Sequence, residues 1–223
     1  MGKYHIRRYE DRDYEAARTI FSRGINEHAP AGFRHVLSCP QTHLLLLAVL
    51  LATYLGSSSL LLSLGAVAAL LALGWIFTKG FWAEYVHDAL ASDMKDIRQA
   101  YLVPKDCNFW VAEAGGEVAG IVAATYPVDP SLHGKALELK RMSVAKEHRG
   151  HGLGKALTRT VLLFAQEHGY KEVVLGTSMA QVAAHRTYEG MGFRKVKEIC
   201  PTALCKLLRF YIFIYRYEIG GSR

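Results

Sequence analysis

The sequence predicts an α/β fold, a central mixed sheet with flanking helices, into which a hydrophobic hairpin is inserted. Three observations carry this: strand-like runs alternate with helical periods, a glycine-rich loop separates one such strand from the helix after it, and residues 44–78 carry no charge. The 223 residues suffice for a full hydrophobic core. All 27 Lys+Arg and 20 Asp+Glu lie outside that 35-residue stretch, so the remaining 188 residues are about 25% charged, as in an ordinary soluble domain. The hydrophobic fraction of 51% is thus an average over two unlike parts, and neither a disordered chain nor a polytopic transporter fits.

In order along the chain, HIRRYE reads as a short strand. Asp11 or Asp13 can cap a helix over 14–26, with Ala17, Ile20, Phe21 and Ile25 on one face. After the insert, residues 81–101 carry a helical period through Tyr85, Leu90, Met94 and Ile97. FWVAEA and VAGIVAATYPV flank a Gly115-Gly116 turn and predict a hairpin over 108–126; ALELKRMSV at 136–144 is the next strand. The glycine-rich loop at 148–154 opens a helix with Leu153, Leu157, Val161 and Phe164 on its apolar face, ending at Gly169. EVVLGT at 172–177 predicts a buried strand, 180–189 a helix, and KLLRFYIFIYRYE at 206–218 a last strand rich in aromatics.

The insert divides at GSSS, residues 56–59, into arms of 12 and 18 residues. One straight helix of this length would reach about 50 Å against a hydrocarbon core of roughly 30 Å. The break predicts a hairpin, and the short first arm predicts partial re-entry rather than two full crossings. A buried helix pair of a soluble protein is the bland alternative, but the second arm alone reaches the length expected of a membrane segment. Arg23 and Arg34 precede the insert and Lys79, Lys95 and Arg98 follow it, so by the positive-inside rule both ends face the cytosol. The expected organisation is residues 1–40 as first strand and helix, 41–79 as membrane hairpin, and 80–223 as the remainder of the domain.

The net charge of +7 and pI near 9.2 suit nucleic acid, an anionic membrane surface or an anionic small ligand. With no run of five basic residues and no arginine stripe, nucleic acid is the weakest partner. Cys39, Cys107, Cys200 and Cys205 form no CxxC pair, which argues against a disulfide framework or a zinc knuckle. The charge-rich N-terminus lacks a secretory pattern, and Gly2 with Ile6 fails the myristoylation pattern. His148 and His151 have no further ligands nearby in sequence, so no metal is implied.

Arg149-Gly150-His151-Gly152-Leu153-Gly154 can offer backbone N–H groups and a helix N-terminus to a pyrophosphate. It fails the Walker pattern, because Lys155 precedes Ala156 and Arg149 stands where glycine is needed, and it fails GxGxxG, whose third glycine would fall at Lys155. LELKRMSVAKEHRGHGLGKALTRTVLLFAQEHGY resembles the acetyl-coenzyme A signature of the GNAT N-acetyltransferase superfamily, with Arg149, Gly152 and Gly154 on the conserved loop pattern. AAHRTYEGMGF resembles its second signature, whose tyrosine is Tyr188 here. SRGINEHAP, the apolar insert and FWAEYVHDALASDMKDI further resemble the membrane-anchored N-acetyltransferase 8 and camello family over nearly the whole chain.

The resemblance implies the GNAT fold, with the segments before and after the insert on one side of the membrane. It implies acetyl-CoA as co-substrate, held by Met142, Val144, Arg149, Gly150, His151, Gly152, Leu153, Gly154 and Lys155. Gln181 departs from the asparagine common at that place, so no coenzyme contact is assigned to it. Acyl transfer needs a neutral amine, a stabilised oxyanion and a protonated leaving thiolate. Tyr188 is the expected general acid, and Glu138 the expected base, with a surface pairing to Lys140 as its alternative. Lys140 and Arg141 are candidates for an acceptor carboxylate, although strand alternation points them to opposite faces unless a bulge intervenes. The implied function is acetylation of the α-amino group of a small acceptor at the endoplasmic reticulum membrane, facing the cytosol. A cysteine S-conjugate is the first choice and aspartate the second; lysine acetylation of membrane or secretory proteins, or a non-catalytic adaptor that keeps coenzyme binding, are the competing readings. The sequence leaves the oligomeric state open.

Overall fold

The computed structural model describes residues 4–220; Gly2, tested above against the myristoylation pattern, lies outside the described residues. Seven strands, β1 (His5–Arg8), β2 (Asn108–Ala114), β3 (Glu117–Thr125), β4 (Ala136–Val144), β5 (Glu172–Ser178), β6 (Arg194–Ile199) and β7 (Ile212–Glu218), form one sheet in the order β1-β2-β3-β4-β5-β7-β6. The helices are α1 (Tyr14–Asn26), α2 (Ala29–Ser38), α3 (Pro40–Ser57), α4 (Leu60–Ala91), α5 (Leu153–Glu167), α6 (Val182–Glu189) and α7 (Ala203–Leu207).

The β4–β5 pair is parallel, unlike every other pairing in the sheet, and spans only Ala136↔Glu172 to Glu138↔Val174. Beyond it β4 follows β3 to Val144 while β5 follows β7 to Ser178, so the two strands part toward their C-terminal ends. The central strands of the sheet are buried on both faces. Leu137, Leu139, Leu153, Leu157, Val161 and Phe164 fill one side, while Phe21, Val86, Met94, Ile97, Tyr101 and Ile121 fill the other. Two-sided burial explains the nearly continuous apolar runs of β2 and β3. Arg7 of β1 ties the first elements down, reaching buried Asp13 ahead of α1 at 2.7 Å and Glu113 of β2 at 2.8 Å.

Several expectations are corrected. The first apolar arm begins at Pro40, whose fixed φ suits a first helical position, so α3 has 18 residues, about 27 Å, instead of 12. The left-handed Ser58 then ends α3, and Ser59 caps α4. Both α3 and α4 are long and apolar enough to cross a membrane. The helix expected over 81–101 is the end of α4, which runs unbroken out of the insert and stops at Ala91; a wide helical turn at Arg98–Leu102 carries Tyr101. Helix α2 was not foreseen. Strand β6 was missed because RKVKEI is exposed throughout, a charged edge strand without an apolar face. The last predicted strand starts late: the Thr202 hydroxyl caps α7 by accepting the Cys205 N–H at 3.1 Å, and positive φ at Arg209 ends that turn before β7.

Helix α1 crosses β4 where Gly24 meets Ser143, whose hydroxyl donates to the Ile20 carbonyl at 3.1 Å. A Cβ at Gly24 would stand 2.2 Å from Ser143 Oγ but 3.5 Å from Ser143 Cβ. Gly24→Ala therefore lowers thermal stability despite its better helix propensity, and adding Ser143→Ala restores it. The double-mutant cycle should show a favourable coupling of at least about 1 kcal/mol; additivity would refute the close approach.

Candidate active site

The glycine loop opens α5 as its sequence pattern requires. Gly150 and Gly152 have φ of 78° and 80°, which glycine adopts without strain. Gly154 lies inside the helix, and a Cβ there would meet nothing within 4 Å. Internal packing therefore gives no reason for glycine at 154, but its missing side chain leaves the α5 N-terminus open to an anionic ligand. Leu153 is buried in the core and presents only its backbone outward, whereas His151 and Lys155 are exposed. His148 rests against Tyr4. Arg149 spans the loop: its Nε donates to the Val144 carbonyl at 2.8 Å and its Nη1 to Glu27, just beyond α1, at 2.5 Å.

A β-bulge interrupts the β3–β4 ladder: Ala123 opposes Lys140 but Ile121 opposes Ser143. The extra residue is absorbed at Arg141, whose φ is 54°. After it the facing of β4 is reset. Leu137 and Leu139, then Met142 and Val144, pack toward α5, while Arg141 and Ser143 contact the side bearing α1 and α4. The question of which cation points inward is thereby answered: the Arg141 side chain is 8% exposed, and its Nε and Nη2 bind the two oxygens of Asp93 at 2.8 and 2.5 Å. Nη1 donates to the Tyr85 hydroxyl at 3.2 Å, and the guanidinium lies over Phe21. Tyr101 also donates to Asp93. Arg141 thus has its carboxylate-binding fork occupied inside the protein. Lys140 is half-buried and forms no ion pair among the described residues.

Tyr188 on α6 is buried against Phe193 and Tyr215, and its hydroxyl donates to Met142 Sδ at 3.8 Å. The structure therefore brings Tyr188 to β4 just past the bulge. Burial pushes its phenol above the ordinary tyrosine value, so it stays protonated. Glu138 lies where β4 and β5 part. Its carboxylate accepts the Val128 N–H at 3.2 Å, and burial raises its pKa, against the opposing pull of Lys140 and Arg141.

One group escaped sequence reasoning. Gln181, immediately before α6, accepts from Thr177 Oγ1 at 2.8 Å and from the Ser178 N–H at 3.0 Å through Oε1, which fixes its amide. Its Nε2 then faces His28 Nε2 at 3.5 Å, so this imidazole nitrogen can only accept. Burial, with Arg149 nearby, lowers the His28 pKa. The two residues are 153 positions apart and no sequence pattern links them. A groove of about 1080 Å³ lies between α5 and the β6–β7 edge, lined by Lys155, Arg159, Arg194 and Arg216 among others; neither Glu138 nor Tyr188 lines it.

The parted parallel strands, the glycine loop at the α5 N-terminus and the buried tyrosine on α6 define an acetyltransferase of the GNAT class. Residues 75–193 match the Acetyltransferase (GNAT) family. The fold is similar to crystal structures of a GNAT-family acetyltransferase from Staphylococcus aureus Mu50, with TM-score 0.56 and 17% identity over 97% of this chain and 99% of that one, and of an acetyltransferase from Streptococcus agalactiae, with TM-score 0.54 and 18% identity over 98% and 99%. More narrowly, the chain belongs to the N-acetyltransferase 8 family: it is 48% identical to mouse N-acetyltransferase 8F1 over the whole of both chains. It is also 43% identical to rat N-acetyltransferase 8 over the whole of both, and 45% identical to mouse N-acetyltransferase family 8 member 3 over 98% of this chain and 97% of that one. The protein is an N-acetyltransferase.

The Arg141–Asp93 pair sets a measurable acid sensitivity. Burial alone would raise the Asp93 pKa, but the bonds from Arg141 and Tyr101 outweigh it and hold it below the ordinary carboxylate range. Its contribution to stability is therefore full above the unfolded-state carboxylate pKa and is lost as pH falls through the lowered folded value. Asp93→Asn should cost about 3–5 kcal/mol in denaturant titrations at neutral pH and flatten this acid limb; an unchanged limb would refute the assignment.

Proposed function

We propose that the chain transfers the acetyl group of acetyl-CoA to the α-amino group of a small amino-acid-like acceptor, foremost a cysteine S-conjugate, while anchored in the endoplasmic reticulum membrane with its catalytic domain toward the cytosol. The observation that carries this reading is the wedge between β4 and β5, with the Tyr188 phenol on its α5 and α6 side and Glu138 at its apex. Residues 41–79 form the membrane hairpin, and residues 1–40 with 80–223 form the domain around it.

In this mechanism the coenzyme enters from the α5 and α6 side. Backbone N–H groups of Gly150, His151, Gly152, Leu153, Gly154 and Lys155 receive its pyrophosphate at the positive end of α5. Arg149 acts by holding the loop to Val144 and Glu27. The thioester lies along Met142 and Val144, where the bulge frees backbone amides from the ladder to face the developing oxyanion. Glu138 takes the ammonium proton of the acceptor, directly or through water, and the neutral amine attacks the thioester carbon. As the tetrahedral intermediate collapses, the C–S bond breaks and Tyr188 protonates the leaving sulfur. Burial favours this role, because the phenol is uncharged before the step.

Lys140, which forms no ion pair among the described residues, is the candidate to meet an acceptor carboxylate, since Asp93 occupies the fork of Arg141. A single positive charge at Lys140 favours a monocarboxylate amino acid over aspartate. Apolar S-substituents would also concentrate such acceptors at the bilayer surface beside the domain.

Purified protein in detergent is expected to release coenzyme A thiol fastest with S-benzyl-type cysteine conjugates, more slowly with aspartate, and least with lysine peptides. No release with any acceptor, or a preference for lysine peptides, would overturn the reading, and protease access to a C-terminal tag in sealed microsomes checks the orientation. Tyr188→Phe should lower kcat about 100-fold. For Glu138 the base form is required, so kcat/KM should rise with pH through a value above the ordinary carboxylate range, and Glu138→Gln should remove that limb.

A further inference from the structure

The β6–β7 connection carries apolar surface that the catalytic reading does not use. In α7, Cys205 faces the protein and is 6% exposed, while Leu204 and Leu207, three residues apart on one helix face, are 43% and 55% exposed. Exposed Lys206 and Arg209 lie between and beside them. Two exposed leucines alone would be unremarkable on a soluble surface. Their position decides the matter. The Leu208 carbonyl accepts from His35 Nε2 at 2.9 Å and from Cys39 Sγ at 3.2 Å, and Cys39 immediately precedes α3, the first apolar helix. Phe210 packs against Phe81 and Trp82 of α4, the second apolar helix, with ring centroids 5.8 and 6.2 Å apart. Cys205 and Phe210 share a buried cluster with Ala29 and Trp82. Helix α7 is therefore fixed to the root of the hairpin at Cys39, with the exposed Leu44 and Leu45 following five and six residues later.

We infer that α7 is a second membrane contact: Leu204 and Leu207 enter the headgroup–acyl boundary of the bilayer that the hairpin occupies, with Lys206 and Arg209 at the level of the lipid phosphates. The inference rests on the membrane reading of the hairpin and adds a point of attachment to it. Apolar residues in the boundary with flanking basic residues are the pattern of an interfacial helix, and the hairpin root supplies the proximity that so short a helix could not gain alone. Two attachments fix the rotation of the domain about the hairpin axis. The Met179 N–H donates to the Tyr211 carbonyl at 2.9 Å, and Met179 and Ala180 pack on the same buried cluster. The C-terminal end of β5, one wall of the wedge, is thus turned toward the lipid, so an acceptor dissolved in the interface reaches the wedge without first entering bulk water.

The test uses full-length protein in phosphatidylcholine–phosphatidylserine vesicles, with a cysteine-attached nitrobenzoxadiazole fluorophore on a Cys200→Ser background that leaves the three buried native cysteines. Separate preparations carry the probe at Leu207→Cys, at Leu51→Cys within α3, and at Ser131→Cys in the turn before β4; retained thiol release shows that each is folded. Leu207 is expected to be quenched more by lipids brominated near the headgroup than by lipids brominated near the chain end. Leu51 should show the reverse order, and Ser131 no quenching. Quenching at Leu51 but not at Leu207 would overturn the second contact while leaving the hairpin in place. A blue-shifted Leu207 probe that brominated lipids do not quench would assign the patch to a protein partner and equally overturn it. Absence of quenching at Leu51 would sink the membrane reading and the inference with it.

Discussion

The organisation of the candidate active site depends on one local distortion, the bulge at Arg141, and on the carboxylate that pins it. A left-handed backbone at a bulky residue costs of order 1–3 kcal/mol and persists only where surrounding structure imposes it. Here Asp93 grips the guanidinium with two short bonds, Tyr85 takes another donor, and Phe21 covers the planar face. The bulge also changes which side of the sheet each β4 residue serves. Without it, regular alternation from Leu137 and Leu139 would put Arg141 on the α5 side and Met142 on the other. With it, Met142 lies under Tyr188 while Arg141 is held on the far side.

The bulge acts together with the separation of β4 from β5. Three paired positions hold the strands together at their N-terminal ends, and each then follows its outer neighbour. A parallel pair that parts in this way leaves backbone groups and side chains facing a cleft in the middle of a sheet, the usual place for a ligand in an open α/β architecture. Parting is tolerated because β3 and β7 still pair the outer edges of both strands. The glycine loop stands at the C-terminal end of β4, so the positive end of α5 looks along the same cleft.

Much of this was legible in the sequence, and the failures share a cause. The glycine loop, Tyr188 and the charge-free insert are local signals: spacing within a few residues or sustained composition. The strands β2 to β5 were legible as short apolar runs bounded by turn residues, the pattern of strands buried on both faces. What was missed depends on partners far along the chain. The partner of Arg141 is 48 residues away, and the contact between His28 and Gln181 joins positions 153 apart. Strand β6 has no apolar face and is defined by its pairing to β7. Helix α7 looked like strand because LLRFYIFI is rich in β-formers, but a capping threonine and a left-handed arginine decide its first half. The first arm of the hairpin is the exception, a local signal: the helix starts at Pro40, four residues before the first leucine.

The continuity of α4 joins the two halves of the molecule in a way that the division into an insert and a domain hides. Its apolar part and its buried part are one helix, with Trp82, Val86 and Ala89 entering the core after a lipid-compatible first half. Two residues past its end stands Asp93, and Tyr85 lies two turns earlier on the same helix; both hold Arg141. A helix is stiff along its axis over this length, so the seating of the hairpin and the position of the bulge are not independent. Displacing α4 along its axis would move Asp93 and Tyr85 together and leave Arg141 charged, buried and unpaired, a state costlier than the loss of the pair's attraction alone. The α4 helix is therefore a structural support of the wedge as well as a helix long and apolar enough to cross a membrane, which gives a physical reason for a hairpin spliced after the first helix of the domain instead of being appended at a terminus, where no such coupling would arise.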